Sequence, residues 1–167
     1  MPTSFLIRPA TAADLPSISR IYNDAVLNTT ATYDYEPEPI SRRAKWFEEH
    51  QRDRMPVLVA VDGREEILGW ASLSPFHNRP GFQFTAENSL YVDAAHRGKG
   101  LGGALLRDLL PLGCSRGLKV VVAGIDGSNE VSIRLHEKQG FTVAGRLKRA
   151  GYKFGRWLDL VYMQKFL

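Results

Sequence analysis

His96-Arg97-Gly98-Lys99-Gly100-Leu101-Gly102-Gly103 decides the fold of this 167-residue chain. Just before it runs Ser89-Leu90-Tyr91-Val92, which reads as a strand, and residues 101–112 after it form an apolar run with helical spacing. Four glycines and three basic or potentially basic side chains therefore stand at a strand-to-helix junction. The first turn of a helix leaves about four amide donors without intrahelical partners and carries partial positive charge. Glycine lets the backbone approach a ligand that a Cβ would hold off. An anion, and phosphate above all, suits such a junction.

Working outward, periodicity gives the remaining elements. Residues 5–8 read as a first strand. Thr11 and Asp14 form a capping-box variant ahead of Leu15, Ile18, Ile21, Tyr22 and Ala25, which repeat at helical spacing. Residues 28–35 and the prolines Pro37 and Pro39 interrupt, and a second helix fits 41–54, ended by Met55-Pro56. Residues 57–61 make a buried-strand run, turned by Asp62-Gly63 into a strand at 67–73. A loop at 76–81 precedes a long strand, 84–92, that enters the glycine loop. Beyond the third helix come a valine-rich strand at 119–125 and a fourth helix at 129–139, capped by Ser128 and stopped by Gly140. Strands at 141–147 and 157–166 finish the chain, separated by a polar turn at 148–155. The order β-α-α-β-β-β-α-β-α-β-β, without repeat or internal linker, predicts one α/β domain over residues 1–167. Its central sheet is mixed and flanked by about four helices.

The composition, 44% hydrophobic and 24% charged, is that of a soluble globular domain. The opening Met-Pro-Thr-Ser-Phe-Leu-Ile-Arg lacks the basic and apolar regions of a secretory signal, and no apolar run is long enough for a membrane span. One cysteine, Cys114, cannot form an internal disulfide and fits a cytoplasmic setting; at the end of the third helix it reads as a packing residue. A net charge of +4 raises nucleic acid as a partner, but basic residues are scattered and interleaved with acids, so no nucleic-acid or membrane partner is expected. A polyanionic small molecule accounts for Arg97 and Lys99 more economically.

Three phosphate-loop templates compete. A Walker loop needs a Gly-Lys-Ser/Thr end that this chain lacks. Gly98-x-Gly100-x-x-Gly103 matches the dinucleotide fingerprint formally, with Asp126 ending a later strand. Five residues, however, separate Val92 from Gly98, and the 64 residues after Gly103 are too few for the rest of a doubly wound sheet. The third template, Arg/Gln-x-x-Gly-x-Gly/Ala after a strand, is met by Arg97-Gly98-Lys99-Gly100-Leu101-Gly102.

On that motif the sequence resembles the GCN5-related N-acetyltransferase (GNAT) family. Ser128-Asn129-Glu130-Val131-Ser132-Ile133-Arg134-Leu135-His136-Glu137-Lys138-Gln139-Gly140-Phe141 looks like the family's second conserved segment, and the order of elements agrees over nearly the whole chain. The resemblance implies acetyl-CoA as co-substrate and no metal. The amides of Gly98, Lys99, Gly100, Leu101, Gly102 and Gly103 would hold its pyrophosphate beside Arg97. Its pantetheine arm would run along Leu90, Tyr91 and Val92, with Asn129, Ser132 and Lys138 contributing from the fourth helix.

Acetyl transfer to an amine requires loss of the amine proton, a donor for the developing oxyanion and alignment of both substrates. Glu87 is the candidate base: a carboxylate on an interior strand is costly unless paired or used. Asn129, Ser132 and His136 share one helix face at spacing i, i+3, i+7, which makes His136 the second catalytic candidate, as acid, base or orienting group. Arg79 lies in a ring-rich loop, Phe76-His77-Asn78-Arg79-Pro80-Gly81-Phe82, and its planar fork suits a carboxylate; Tyr33, Tyr35 and Phe76 would wall a pocket.

A closer resemblance joins Thr85-Ala86-Glu87-Asn88-Ser89-Leu90-Tyr91-Val92, Leu135-His136-Glu137 and the segment Arg149-Ala150-Gly151-Tyr152-Lys153-Phe154-Gly155-Arg156-Trp157-Leu158-Asp159 to the phosphinothricin and methionine sulfoximine acetyltransferases. It implies Glu87 and His136 as catalytic residues. It also implies an acceptor site drawn from Tyr33, Phe76, His77, Asn78, Arg79, Glu87, Asn88 and Ser89, a small amino-acid-like amine as acceptor, direct transfer in a ternary complex, and a homodimer. Residues 148–156 would cover the acceptor or meet the second subunit. Two other readings share the same loop: an acetyltransferase of peptide or protein N-termini, and a non-catalytic acyl-CoA sensor.

Overall fold

The computed structural model describes residues 4–167, so Met1, Pro2 and Thr3 of the expected domain lie outside the described residues. The elements run β1 (Leu6–Pro9), α1 (Leu15–Asn28), α2 (Ile40–Arg52), β2 (Val57–Val61), β3 (Ile67–Pro75), β4 (Thr85–Val92), α3 (Leu101–Ser115), β5 (Val120–Asp126), α4 (Glu130–Lys138), β6 (Thr142–Lys153) and β7 (Arg156–Phe166), in the order that periodicity predicts. Seven strands form one sheet, β1-β2-β3-β4-β5-β7-β6. Every neighbouring pair is antiparallel except β4 and β5. The sheet is mixed and carries four α-helices, the expected fold class.

Both faces of the sheet are covered, which is why all five residues of β2 are buried. Leu58 and Ala60 pack toward α3, whose Leu105, Leu106 and Leu109 are fully buried, while Val57, Val59 and Val61 pack toward Ile18, Ile21 and Phe47 of α1 and α2. Each such aliphatic side chain taken out of water contributes about 1.5–3 kcal/mol. Among the described residues no helix is long and apolar enough to cross a membrane.

The α1–α2 layer is held by a buried cation. Arg43 is 4% exposed, its guanidinium stacked 4.6 Å from the Tyr22 ring, 4.5 Å from Trp46 and 5.2 Å from Trp70, and it pairs with the Glu38 carboxylate. Two buried histidines serve as neutral connectors. His50 Nδ1 meets the Trp46 carbonyl at 2.8 Å and Nε2 meets Ser74 Oγ at 2.9 Å; burial lowers the pKa of both His50 and His136 below the ordinary 6.5.

Three readings of the sequence change. The polar stretch 148–155 is mostly strand: β6 continues through Lys153, and the reversal is confined to Phe154 and Gly155, at φ 53° and 72°. Both central residues in left-handed conformation make the tight hairpin turn whose twist matches its strands. The ladder survives because the Asp159 carboxylate accepts from the Arg149 amide (2.9 Å) and Arg146 Nε (2.8 Å) at a bulge between Leu147 and Gly151. Asn129, not Ser128, caps α4, its side chain accepting from the Ser132 amide at 3.1 Å. Cys114, expected in packing, is exposed on the last turn of α3.

Arg43→Ala leaves the Glu38 carboxylate with only the exposed Arg42, 3.8 Å away, and empties the space among Tyr22, Trp46 and Trp70; it is expected to cost about 3 kcal/mol, read as a lower urea midpoint. His50 and His136 take up protons in the unfolded chain at higher pH than in the folded one. Their contribution is therefore complete above about pH 6.5 and is lost as pH falls below it. Proton NMR should place both histidine midpoints below 6.5, with thermal stability declining over the same range.

Candidate active site

Strands β4 and β5 pair only from Thr85 with Val120 to Glu87 with Val122, then diverge. On its other edge β4 stays paired with β3 as far as Val92 opposite Gly69. The divergence opens a cleft of about 1030 Å³, lined on one side by residues 87–92 and on the other by Ala123, Gly124, Ile125 and Asp126. Along its walls the facing backbone edges have no strand partner, so amides and carbonyls are available to an extended ligand with amides of its own.

The cleft has two halves. Its donor half lies toward α3 and α4 and is lined by Arg97, Gly98, Gly100, Leu101, Gly102 and Gly103 from the loop, with Asn129, Ser132, Leu135 and His136 from α4. Gly98 (φ 75°) and Gly100 (φ 82°) adopt left-handed backbone, and Gly100 is the N-cap of α3; space beyond their Cα atoms is open. Side chains there would strain the loop and fill the approach to the helix N-terminus. Gly102 has a different duty: a Cβ on it would sit 2.7 Å from Leu135 Cδ1, so it sets the contact between α3 and α4. Arg97 Nε donates to the Val92 carbonyl at 3.2 Å, fixing the loop to the end of β4. The loop and the unpaired strand edges fit a long anionic ligand with an amide arm, as acetyl-CoA is.

The other half, away from the glycine loop and on the side an acceptor would have to enter, lies toward α1 and is lined by Asn28, Thr29, Thr30 and Ala31 at the end of that helix and by Phe154 and Arg156 of the β6–β7 hairpin. Asp126, 4% exposed, ties it to β5: Thr30 Oγ1 donates to Asp126 Oδ2, and Ser128 Oγ donates to the same oxygen at 2.7 Å.

Glu87 lines the cleft where the strands part, opposite Gly124, whose missing side chain makes room for it: a Cβ there would lie 3.1 Å from Glu87 Oε1. No cation pairs with Glu87 among the described residues, and burial alone raises its pKa above the ordinary carboxylate value. Such a carboxylate accepts a proton more readily than an exposed one at neutral pH.

His136 is 2% exposed, and both of its ring nitrogens are engaged. Nδ1 lies 2.8 Å from the Ser132 carbonyl and must carry the hydrogen; Nε2, 3.1 Å from Asn88 Nδ2, is then the acceptor. Asn88 is thereby fixed with its buried Oδ1 free of any hydrogen bond.

Of the residues expected at the site, the cleft gathers Glu87, Asn88, Ser89, Leu90, Tyr91, Val92, the loop residues above, Asn129, Ser132 and His136. Lys99 and Lys138 lie outside its lining, Lys99 Nζ donating to the Ala95 carbonyl at 3.2 Å. Phe76, His77, Asn78 and Arg79 are on the β3–β4 connection, outside the cleft of this chain, where the Phe76, His77 and Phe82 rings pack on one another. Tyr33 is behind the wall, its hydroxyl donating to the Asp159 carbonyl at 3.0 Å. Arg156 lines the cleft from the segment 148–156 that was expected to cover the acceptor or meet a second subunit, whereas sequence reading missed Thr30 and Gly124 as lining residues. Only Gly124 carried a signal, as a lone glycine in a valine-rich strand.

Comparison with known proteins bears on this geometry. The model of the acetyltransferase (GNAT) family matches residues 18–141. An L-methionine sulfoximine/L-methionine sulfone acetyltransferase from Pseudomonas paraeruginosa is 47% identical over 158 residues, covering 95% of this chain and 92% of that protein. A GNAT-superfamily phosphinothricin acetyltransferase from Sinorhizobium meliloti, solved in complex with acetyl-CoA, superposes with a TM-score of 0.96 at 40% identity, covering 100% of this chain and 89% of that one. A ribosomal-protein-alanine N-acetyltransferase from Brucella melitensis gives a TM-score of 0.93 at 46% identity, covering 97% and 99%. Matched by the family model through both the glycine loop and the α4 segment, and by such relatives along nearly its whole length, the chain belongs to the acetyltransferase (GNAT) family.

Proposed function

We propose that the protein acetylates the α-amine of a small, free amino-acid-like acceptor of the methionine sulfoximine, methionine sulfone or phosphinothricin type, by direct transfer from acetyl-CoA within a ternary complex. The observation that carries this reading is Glu87, an unpaired carboxylate of raised pKa at the point where the donor and acceptor halves meet. When bound, acetyl-CoA supplies the activated acyl thioester. Gly98, Gly100 and the first turn of α3 hold its phosphates, and the unpaired edges of β4 and β5 hold its amide arm. Glu87 takes the proton of the acceptor ammonium, directly or through one water. His136 acts by orientation: with both nitrogens occupied it holds the Asn88 amide rather than moving a proton.

A small acceptor fits because the acceptor half is walled by the hairpin and the α1–α2 connection. The similarity to a ribosomal-protein-alanine N-acetyltransferase favours a second reading, acetylation of an alanine-initiated polypeptide.

The proposal extends to a homodimer in the cytoplasm. Its support is the β6 edge of the sheet, where Val143 (57%), Leu147 (52%), Tyr152 (47%) and the neighbouring Trp157 (59%) are exposed. In such an assembly Arg79 and its aromatic loop act as an acceptor element completed by the subunit contact. Cys114, free and exposed, suits a reducing compartment.

In a thiol-release assay, methionine sulfone or phosphinothricin should outperform an alanine-initiated peptide; the reverse order would establish the second reading. Glu87→Gln should lower kcat by about 10²- to 10⁴-fold and abolish the rise of kcat/KM with pH through the raised Glu87 pKa, while calorimetric acetyl-CoA affinity stays unchanged. Full turnover with an unaltered pH profile would rule Glu87 out as base. Sedimentation should give twice the 18.7 kDa chain mass, reverting to one chain in Leu147→Glu/Trp157→Glu.

A further inference from the structure

Glu87 shares the cleft with a second carboxylate. Asp126, the last residue of β5, also lines it, and these two are the only acidic side chains of the lining among the described residues. Asp126 is 4% exposed. Its Oδ2 accepts from Thr30 Oγ1 and from Ser128 Oγ (2.7 Å), and its Oδ1 accepts from the Ser128 amide at 3.2 Å. All three donors are neutral. No lysine, arginine or histidine nitrogen pairs with Asp126 among the described residues, Arg146 being taken by Asp159. Neutral donors stabilise a carboxylate without cancelling its charge, so the acceptor half holds one buried negative charge that the transfer itself does not use.

Two further cations stand in this half without pairing with it. Lys153, 3% exposed, is outside the cleft lining: its Nζ is enclosed behind the wall by the Thr29 and Thr32 carbonyls, each at 2.8 Å, and the charge of Asp34 acts on it. Arg156 lines the cleft but is exposed, where water and salt screen its field. A charge out of water acts over several ångströms with far less screening. Position gives that of Asp126 a target. Alternate residues of a strand share a face, so Asp126 stands on the face of Gly124, one pleat repeat or roughly 6–7 Å farther along. Gly124 is the residue opposite Glu87, whose Oε1 would lie 3.1 Å from a Cβ there. In the other direction the strands are paired and closed at Val122. In an extended acceptor of the methionine sulfoximine type the α-nitrogen and the sulfur are four bonds apart, roughly 5 Å. With the amine at Glu87, the oxidised head of the acceptor side chain therefore comes beside Asp126.

We propose that Asp126 is a specificity-determining residue of the acceptor half: its charge admits acceptors whose side-chain head is neutral, a sulfoximine or a sulfone, and repels the phosphinate of phosphinothricin. Methylsulfoximine and methylphosphinate heads have nearly the same shape, a tetrahedral centre bearing a methyl group, an oxygen and a further nitrogen or oxygen. They differ in charge: the phosphinate is an anion, whereas the sulfoximine is neutral and carries an N–H that can donate to a carboxylate. Packing alone discriminates little between such heads, and a like charge in a desolvated position discriminates strongly. The inference rests on the amino-acid-like acceptor proposed above and selects among its members.

The test compares methionine sulfoximine with phosphinothricin as acceptors, by thiol release from acetyl-CoA. Wild-type protein should favour methionine sulfoximine by about 10- to 100-fold in kcat/KM. Asp126→Asn, which keeps the size of the side chain and removes its charge, should raise kcat/KM for phosphinothricin by about tenfold and so narrow the ratio, whereas Asp126→Glu should keep it. A residue that only braced the wall would lower both acceptors together when replaced, so a gain on phosphinothricin separates the two roles. Should Asp126→Asn fail to fold, Asp126→Ser takes its place. An unchanged ratio in the neutral variant, parallel losses on both acceptors, or wild-type protein that acetylates phosphinothricin as well as methionine sulfoximine would overturn the proposal. Each of these, with wild-type turnover of the compounds intact, sinks this inference and spares the acceptor reading; wild-type protein that acetylates neither sinks both.

Discussion

Two parallel strands that stop pairing halfway are the constraint on which the rest of the molecule depends. Had β4 and β5 stayed in register beyond Glu87 and Val122, the middle of the sheet would be seamless and both helical layers would close over it. Their divergence leaves backbone donors and acceptors on two facing edges, and a buried group without a partner costs about 1–3 kcal/mol. Such edges persist where solvent or a ligand reaches them, so the opening in the sheet and the binding cleft are one feature. It also explains the setting of Glu87. The residue sits at the last paired position, far enough into the sheet to be desolvated and far enough along it to meet what enters from either side.

The two halves of the cleft are made by different physics. The donor half is local: a strand, a glycine turn and the first turn of a helix follow one another in the chain, and Gly102 brings α4 close enough to complete the wall. The acceptor half is assembled from remote pieces. Thr30 reaches Asp126, Lys153 reaches Thr29 and Thr32, and Tyr33 reaches Asp159, each across 96 residues or more. Arg43, stacked among Tyr22, Trp46 and Trp70, keeps the helices beneath that half in place.

This division accounts for what was legible in the sequence. The order of elements, the mixed sheet and the donor loop rest on short-range periodicity, capping and glycine placement, and all of these can be read along the chain. Glu87 stood out as a carboxylate inside an apolar strand, and His136 as part of a helix face. Tertiary facts were hidden. Lys153 and Arg43 look like ordinary surface cations until their partners appear, because nothing in a string of residues says which lysine will end beneath a loop. Residues 148–155 look like a turn because the Asp159 carboxylate that keeps them in the ladder comes later in the chain. The aromatic neighbours of Arg79 are legible in the sequence, but that their rings pack on one another outside the cleft lining of this chain is not.

The place of β7 has a consequence for how the protein comes into being. The final strand of the chain lies between β5 and β6, not at an edge, so a nascent chain can lay down β1 through β5 while the sheet still lacks the strand that joins β6 to it. The part of the cleft walled by the β6–β7 hairpin therefore cannot form until β7 is there to pair with β5. The glycine loop and α3 can fold against β1–β4 well before then. A chain truncated by only a dozen residues would keep most of its apolar core but expose β5 and lose the hairpin, leaving a species open to aggregation.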